Sequence, residues 1–124
     1  MPSTNLPVTG TNLSIVVGVL SRPPELRQLP SGDEVLALEV TVRPAEGPAE
    51  SVPVAWADPP STAAKWPAGE ELLIVGRVRR RFFRAAGATQ SRTEVVASCA
   101  VPTRRAAAAR KALGSALEAV ARQL

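Results

Sequence analysis

The sequence predicts an all-β core: a small barrel of five strands, with a short helix between the third and fourth strands and an added helix at the C-terminus. Short apolar, β-branched segments separated by Pro- and Gly-rich breaks predict the strands. An Ala-rich segment without proline predicts the C-terminal helix. A length of 124 residues suits one domain, so we expect a flexible N-terminal arm over residues 1–11, the barrel over residues 12–101 and the helix over residues 102–124.

The first three strands follow from the alternation of apolar and polar residues. Residues 13–20 are apolar and β-branched, with a bulge or bend expected at Gly18. Residues 21–32 hold three prolines and end in a Ser-Gly turn, so they predict a connecting loop. Residues 35–43 and 51–57 predict the second and third strands, the former with its apolar side chains on one face.

The short helix and the last two strands come next along the chain. Asp58 can accept hydrogen bonds from the free amides of a first turn, which predicts a helix over residues 58–66. Residues 70–83 predict the longest strand, in which Gly76 permits a sharp bend. Residues 91–101 predict the fifth strand, which completes the barrel.

The C-terminal helix is predicted over residues 104–124, with Thr103 as its N-cap. Its apolar residues form one seam, and such a seam must be covered for the helix to be stable. Three arrangements are open: the helix packs on its own barrel, pairs with the helix of another copy, or presents its basic residues to nucleic acid. We favour a contact between copies of the chain. The seam residues are Leu113, Leu117, Val120 and Leu124.

Composition argues against several kinds of chemistry. The chain has no histidine and a single cysteine, Cys99, so the commonest general base and a multi-cysteine metal site are both absent. No Gly-rich phosphate loop or nucleophile elbow is present. We therefore predict a protein that is not an enzyme and that needs no metal, cofactor or small-molecule substrate. The first residues have neither the basic nor the apolar region of a leader peptide, and the apolar runs are too short to span a membrane, so we expect a cytoplasmic location.

Charge is unevenly distributed along the chain. The formal net charge is +4, but residues 1–69 carry −3 and residues 70–124 carry +7. A solvated strand edge could explain a cluster of positive charges in the second half, because charged side chains discourage pairing between sheet edges. The excess over the whole second half favours attraction of a polyanion. Residues 77–84, at the end of the fourth predicted strand, hold five arginines and no acid: Arg77, Arg79, Arg80, Arg81 and Arg84.

Five strands with a short helix after the third are the element order of an OB-type Greek-key barrel, which binds oligonucleotides or oligosaccharides across one face. Three segments resemble the bacterial single-stranded-DNA-binding proteins. Residues 12–32, NLSIVVGVLSRPPELRQLPSG, resemble the opening of that family. Residues 68–80, AGEELLIVGRVRR, resemble a later strand, and residues 92–97, RTEVVA, resemble the last strand.

The resemblance implies an OB-fold that oligomerises as a dimer or tetramer and binds single-stranded DNA at the nucleoid, in replication, recombination or repair. Phe83 lies about where the family carries a stacking Trp, whereas the family's other aromatics fall near Arg43 and Ser51. Phe82 must point to the opposite face from Phe83. RNA remains open as a ligand. The predicted nucleic-acid-binding residues are Arg77, Arg79, Arg81, Arg84, Phe83, Arg43 and Arg92.

A second class of function fits the same residues. Each lost stacking contact can remove roughly 1–3 kcal/mol of binding energy. The two missing aromatics therefore also suit an OB-fold protein-interaction or oligomerisation module with weak or lost nucleic-acid binding.

Overall fold

The computed structural model describes residues 9–124, so residues 1–8 of the predicted N-terminal arm lie outside the described residues. Residues 9–13 have no regular structure. The described chain is mostly β-sheet, with one α-helix near the C-terminus. Its elements are β1 (Ser14–Leu20), β2 (Glu25–Gln28), β3 (Glu34–Val42), β4 (Glu50–Ala57), a 3₁₀ turn (Ala63–Lys65), β5 (Glu71–Ala85), β6 (Ala88–Pro102) and α1 (Ala106–Ala121).

Residues 9–124 contain six strands, not the predicted five, because part of the predicted connecting loop pairs with its neighbour. β2 runs antiparallel to β3, from Glu25 opposite Ala37 to Gln28 opposite Glu34. The prolines of this segment flank the four paired residues and do not interrupt them. Gly32, with a φ of 92°, closes the turn by donating its N–H to the Leu29 carbonyl at 2.8 Å.

The other five strands form a closed circuit of pairing. The sheet order is β1-β5-β6-β4-β3-β2, and β1 also pairs with β3. Strand β1 divides its pairing, since residues 14–19 lie beside β5 and residues 19–20 lie beside β3. The β4–β6 pair is parallel, and the other pairs are antiparallel.

Gly18 marks a close approach of two strands in this circuit. A Cβ at Gly18 would lie 2.9 Å from the Thr41 carbonyl oxygen, so Gly18 lets β1 pass close to β3. The bulge predicted at Gly18 is absent, because the β1–β5 register runs through it without a shift. The register shift lies instead between Val75 and Gly76 of β5.

The core is aliphatic, as the low aromatic content predicts. Alternate residues of β3, β4 and β5 point inward, and the largest fully buried side chains are Leu20, Leu36, Leu72, Ile74 and Val40. Trp56 belongs to this core, and the partly buried Trp66 stacks on it with ring centroids 6.1 Å apart. Both tryptophans therefore pack in the fold, as expected.

The short helix predicted over residues 58–66 is reduced to the 3₁₀ turn at Ala63–Lys65. Asp58 is not its cap. Asp58 adopts a left-handed φ of 50° and donates its N–H to the Glu34 carbonyl at 3.1 Å, so it ends β4 against β3. Ala63 is fully buried in the core.

Helix α1 packs on its own barrel, against β5 and β6. Ala109 is buried, whereas Leu117 is 51% exposed and Leu124 is 99% exposed. Leu113 and Val120 are half-buried, so the predicted seam is covered only in part. A contact between copies through the rest of the seam stays a prediction.

The ends of α1 also differ from the prediction. Arg105 is the N-cap residue, and Thr103 instead donates its hydroxyl to the Glu71 carboxylate at 2.6 Å. None of the helical segments in the described chain is both long enough and apolar enough to span a bilayer.

Candidate nucleic-acid interface

Strands β5 and β6 continue beyond the barrel as a projecting hairpin, which we define as residues 77–94. Strand β1 accompanies β5 only to Gly76, and β4 accompanies β6 only over residues 95–97. The outer parts of β5 and β6 therefore pair with each other alone, over a length of roughly 25 Å at about 3.4 Å per residue. Ala86 and Gly87 close the tip with φ values of 52° and 78°, as expected for a tight hairpin turn.

Asn12 holds the base of the projecting hairpin. Its side-chain amide donates to the Val78 carbonyl at 2.7 Å and accepts from the Val78 N–H at 3.1 Å. The amide thus satisfies the backbone groups of β5 at the point where its pairing with β1 has ended.

The register assigns each side chain of the projecting hairpin to one of two faces, because directly opposed residues share a face. What we call the Glu94 face carries Arg77, Arg79, Arg81, Phe83, Gln90, Arg92 and Glu94. What we call the Phe82 face carries Val78, Arg80, Phe82, Arg84, Thr89, Ser91 and Thr93. The predicted site is therefore divided: Arg84 does not share a face with Phe83.

The register shift at Gly76 decides where Glu94 points. Val75 lies opposite Cys99, but Gly76 lies opposite Ala97, so Ser98 is an extra residue in β6. Without Ser98, the register that pairs Val75 with Cys99 would continue along both strands and set Glu94 opposite Arg80. With it, Glu94 lies opposite Arg79. A bulge inside the barrel thus determines which face of the projecting hairpin carries Glu94, the only acid within residues 77–94.

Glu94 lies beneath three arginines on its face. It is 6% exposed, and among residues 9–124 it is the only charged residue in the buried class. Arg79 contacts its carboxylate directly, Arg81 Nε lies 3.5 Å away and Arg92 Nε lies 4.0 Å away. Each guanidinium has five donors, so one carboxylate leaves most of them available on the exposed side.

A groove with a volume of about 450 Å³ lies beside this arginine cluster. Its floor contains small outward residues of β3, β4 and β6, such as Ala37, Ala55 and Val96. One wall is the segment that includes β2, and the other is the Glu94 face. The charged lining comprises five arginines, Arg22, Arg27, Arg79, Arg81 and Arg92, and three glutamates, Glu25, Glu39 and Glu94.

Each face of the projecting hairpin carries one phenylalanine beneath an arginine. The guanidinium carbon of Arg81 lies 5.4 Å from the ring centroid of Phe83, and that of Arg80 lies 5.3 Å from the centroid of Phe82. Phe83 is half-buried and Phe82 is exposed. Aromatic rings and guanidinium planes both stack on nucleobases, so each arginine–phenylalanine pair offers a flat surface on which a base can stack.

The groove gathers some predicted site residues and leaves others out. Arg79, Arg81 and Arg92 line it, and Phe83 lies further along the same face. Arg43 is exposed after the end of β3 and does not line the groove. Arg77 is exposed at the base of the Glu94 face.

Sequence reasoning missed five of the eight charged groove residues, among them Arg22, Arg27 and Glu94. Arg22 and Arg27 were placed in a loop without a role, although they flank the cluster once β2 folds onto β3. Glu94 had a visible signal, as the only acid between Arg77 and Arg104 in the sequence.

A second cavity lies under α1 and does not share this character. It has a volume of about 520 Å³ and is lined mainly by small and polar residues of α1 and residues 10–13. Cys99 lines it, and burial raises the pKa of the Cys99 thiol, partly offset by a backbone hydrogen bond at Val75. A raised pKa keeps the thiol protonated near neutral pH, which suits a packing role.

No protein-family model matches the chain, and a search of curated proteins finds no match. The function is therefore inferred from the groove and the projecting hairpin.

Proposed function

We propose that this protein binds single-stranded DNA without strong sequence preference, along the groove and the Glu94 face. The observation that carries the proposal is a groove lined by five arginines, between the segment that includes β2 and the projecting hairpin. In OB-folds the corresponding strands and the loops on either side of them bind oligonucleotides.

The strand circuit supports an OB-type barrel for this chain. With β2 set aside as an insertion, the pairing runs β1-β3-β4-β6-β5 and returns to β1. The 3₁₀ turn between β4 and β5 lies where the short helix was expected, and the parallel pairing of β4 with β6 completes the circuit. The sequence resemblance over residues 12–101 supports a relationship to the bacterial single-stranded-DNA-binding proteins and their role in DNA replication, recombination or repair.

The chemistry of the groove suits a strand of any sequence. Arginine guanidiniums neutralise phosphates, and Phe83 with Arg81 offers a stacking surface that every base can use. The floor of small apolar residues leaves room for bases without reading their edges. In this proposal the protein is a cytoplasmic, non-enzymatic binding protein without a cofactor, and it assembles as a dimer or tetramer.

The double substitution Arg81→Gln/Arg92→Gln tests the proposal. It removes two positive charges from the groove wall but keeps the contact between Arg79 and Glu94. Phosphate contacts by charged donors contribute roughly 1.5 kcal/mol each, so we expect affinity for fluorescent oligo-dT to fall about a hundredfold.

The matched control is Arg110→Gln/Lys111→Gln, which removes the same charge from exposed positions of α1. We expect it to change affinity by less than about threefold, as a distant screened charge should. Equal losses in both double variants would show that only net charge matters, and would contradict binding at the groove.

A protein-interaction module is the second candidate function. It is favoured by an apolar strip on the outer face of β1, where Ile15, Val17 and Val19 are all exposed, and by the exposed Leu117 of α1. Light scattering separates the two candidates when combined with the titration. A chain that assembles but binds no oligo-dT at low salt would be such a module.

A further inference from the structure

We propose that the Phe82 face is a second contact surface for the same bound strand, so that a long single strand crosses the projecting hairpin and touches both of its faces. This inference rests on the proposed function. It adds a binding surface on the side of the hairpin that faces away from the groove.

The exposure of Phe82 is the first observation. Its side chain is 63% exposed, although it is one of only four aromatic residues in the chain. The projecting hairpin is two strands wide at this point, so the described chain has no third strand that could cover the ring. An exposed ring with a guanidinium 5.3 Å from its centroid has the composition of a base-stacking platform.

The charge of the Phe82 face is the second observation. Its hairpin residues include Arg80 and Arg84 but no carboxylate, whereas Glu94 offsets part of the charge on the other face. Within residues 9–124, Arg80 hydrogen-bonds to the Ser91 hydroxyl at 3.3 Å and Arg84 to the Gly87 carbonyl at 3.2 Å, and neither forms a salt bridge. Both guanidiniums therefore keep their full positive charge for a phosphate.

The hydroxyl groups on the same face are the third observation. Thr89, Ser91 and Thr93 alternate along β6 on the Phe82 face, where Thr93 and Thr89 lie opposite Arg80 and Arg84 and Ser91 lies opposite Phe82. Hydroxyls commonly donate to phosphate oxygens without reading sequence. Two arginines, three hydroxyls and one ring thus lie on one surface, a combination that can contact both the phosphates and a base of a single strand.

The two faces are joined at the tip. Phe82 and Phe83 are consecutive residues, so their side chains leave opposite faces of β5, one residue apart and close to the turn at Ala86 and Gly87. Arg84 lies between these rings and the tip. A strand that leaves the groove along the Glu94 face reaches the Phe82 face by passing over this end.

Oligonucleotide length is the variable that tests the second surface. We would measure binding of dT oligomers of about 6 and about 25 nucleotides, below and above the upper end of the range for one OB-fold. Phe82→Ala is expected to leave affinity for the short oligomer within about twofold. It is expected to lower affinity for the long oligomer about tenfold, the effect of one lost stacking contact. Phe83→Ala should weaken both oligomers.

Two further variants separate contact with DNA from a structural effect. Phe82→Trp should restore affinity for the long oligomer, because it restores the aromatic platform. Arg80→Gln/Arg84→Gln should make the slope of log affinity against log salt less steep by about 1.4 for the long oligomer only, from roughly 0.7 for each phosphate contact.

The outcomes distinguish the two proposals. If Phe83→Ala weakens both oligomers while Phe82→Ala changes neither, the second surface is overturned and the groove stands. If Phe82→Ala lowers the mass measured by light scattering, the face is a contact between copies, and the inference is overturned. If the wild-type chain binds neither oligomer, both proposals fail.

Discussion

The two faces of the projecting hairpin share one backbone and the same Arg-x-Phe spacing, yet they present different surfaces. On the Glu94 face, three arginines converge on a buried carboxylate beside the groove. On the Phe82 face, Arg80 and Arg84 have no carboxylate partner within the described chain and stand beside an exposed ring. Five neighbouring arginines are therefore not one site, because strand alternation divides them between two surfaces.

Glu94 also shows that a buried acid can organise a basic site. Its carboxylate fixes the direction of three guanidiniums, which lowers the entropy that a ligand must remove from them. The same charge reduces the attraction that those guanidiniums exert on phosphates. The Glu94 face is therefore ordered and partly neutralised, whereas the Phe82 face keeps its charge.

The largest expected effect comes from disturbing the bulge that sets the face of Glu94. Gly76→Ala would place a Cβ 2.2 Å from the Val96 carbonyl oxygen, a contact that requires the backbone to move. We expect a loss of at least about 3 kcal/mol in unfolding free energy, measured by urea denaturation, as for severe overpacking. Gly114→Ala is the control, because a Cβ there meets nothing within 4 Å and should stabilise α1 slightly. Equal stability of wild type and Gly76→Ala would contradict the close backbone approach of β5 and β6 at Gly76.

A smaller effect compares one arginine from each face. Arg79→Leu leaves the buried carboxylate of Glu94 with two more distant partners. Because Arg79 is itself partly exposed, we expect a loss of about 2 kcal/mol in unfolding free energy, below the full cost of breaking a buried pair. Arg80→Leu, on the other face, should change it by less than about 0.5 kcal/mol. Equal losses of unfolding free energy in the two variants would contradict the difference between the two faces.

The smallest effect concerns affinity. Glu94→Gln removes one negative charge from the groove wall and keeps the size of the side chain. At an intermediate effective dielectric the relief is about 1 kcal/mol, so we expect oligo-dT to bind about fivefold more tightly. Glu118→Gln is the control, since Glu118 pairs with Arg122 on the exposed side of α1. Weaker binding by Glu94→Gln would mean that holding the arginines in place outweighs their neutralisation.

Local pattern predicted the strands better than it predicted their partners. Alternation placed Phe82 and Phe83 on opposite faces, and the register agrees. The face of Glu94 depends on the extra residue Ser98, which appears only when β5 and β6 pair around Gly76. No periodicity within either strand encodes that choice.

The same limit explains the other differences. β2 has four residues and is stable only as an addition to β3, so its composition alone indicated a loop. In α1 the large seam residues suggested a contact with another copy of the chain. The buried residue of α1 is instead the small Ala109, because a small side chain lets the helix approach the sheet closely. Sequence pattern describes which residues are apolar, and packing distance decides which of them are covered.

The central claim is that the groove binds a polyanion through its arginines, and salt dependence tests it most directly. Affinity of the wild-type chain for oligo-dT would be measured from about 50 to 300 mM salt. If about four phosphates are neutralised, log affinity should fall against log salt with a slope near −3. A flat response, or no binding at the lowest salt, would contradict the claim.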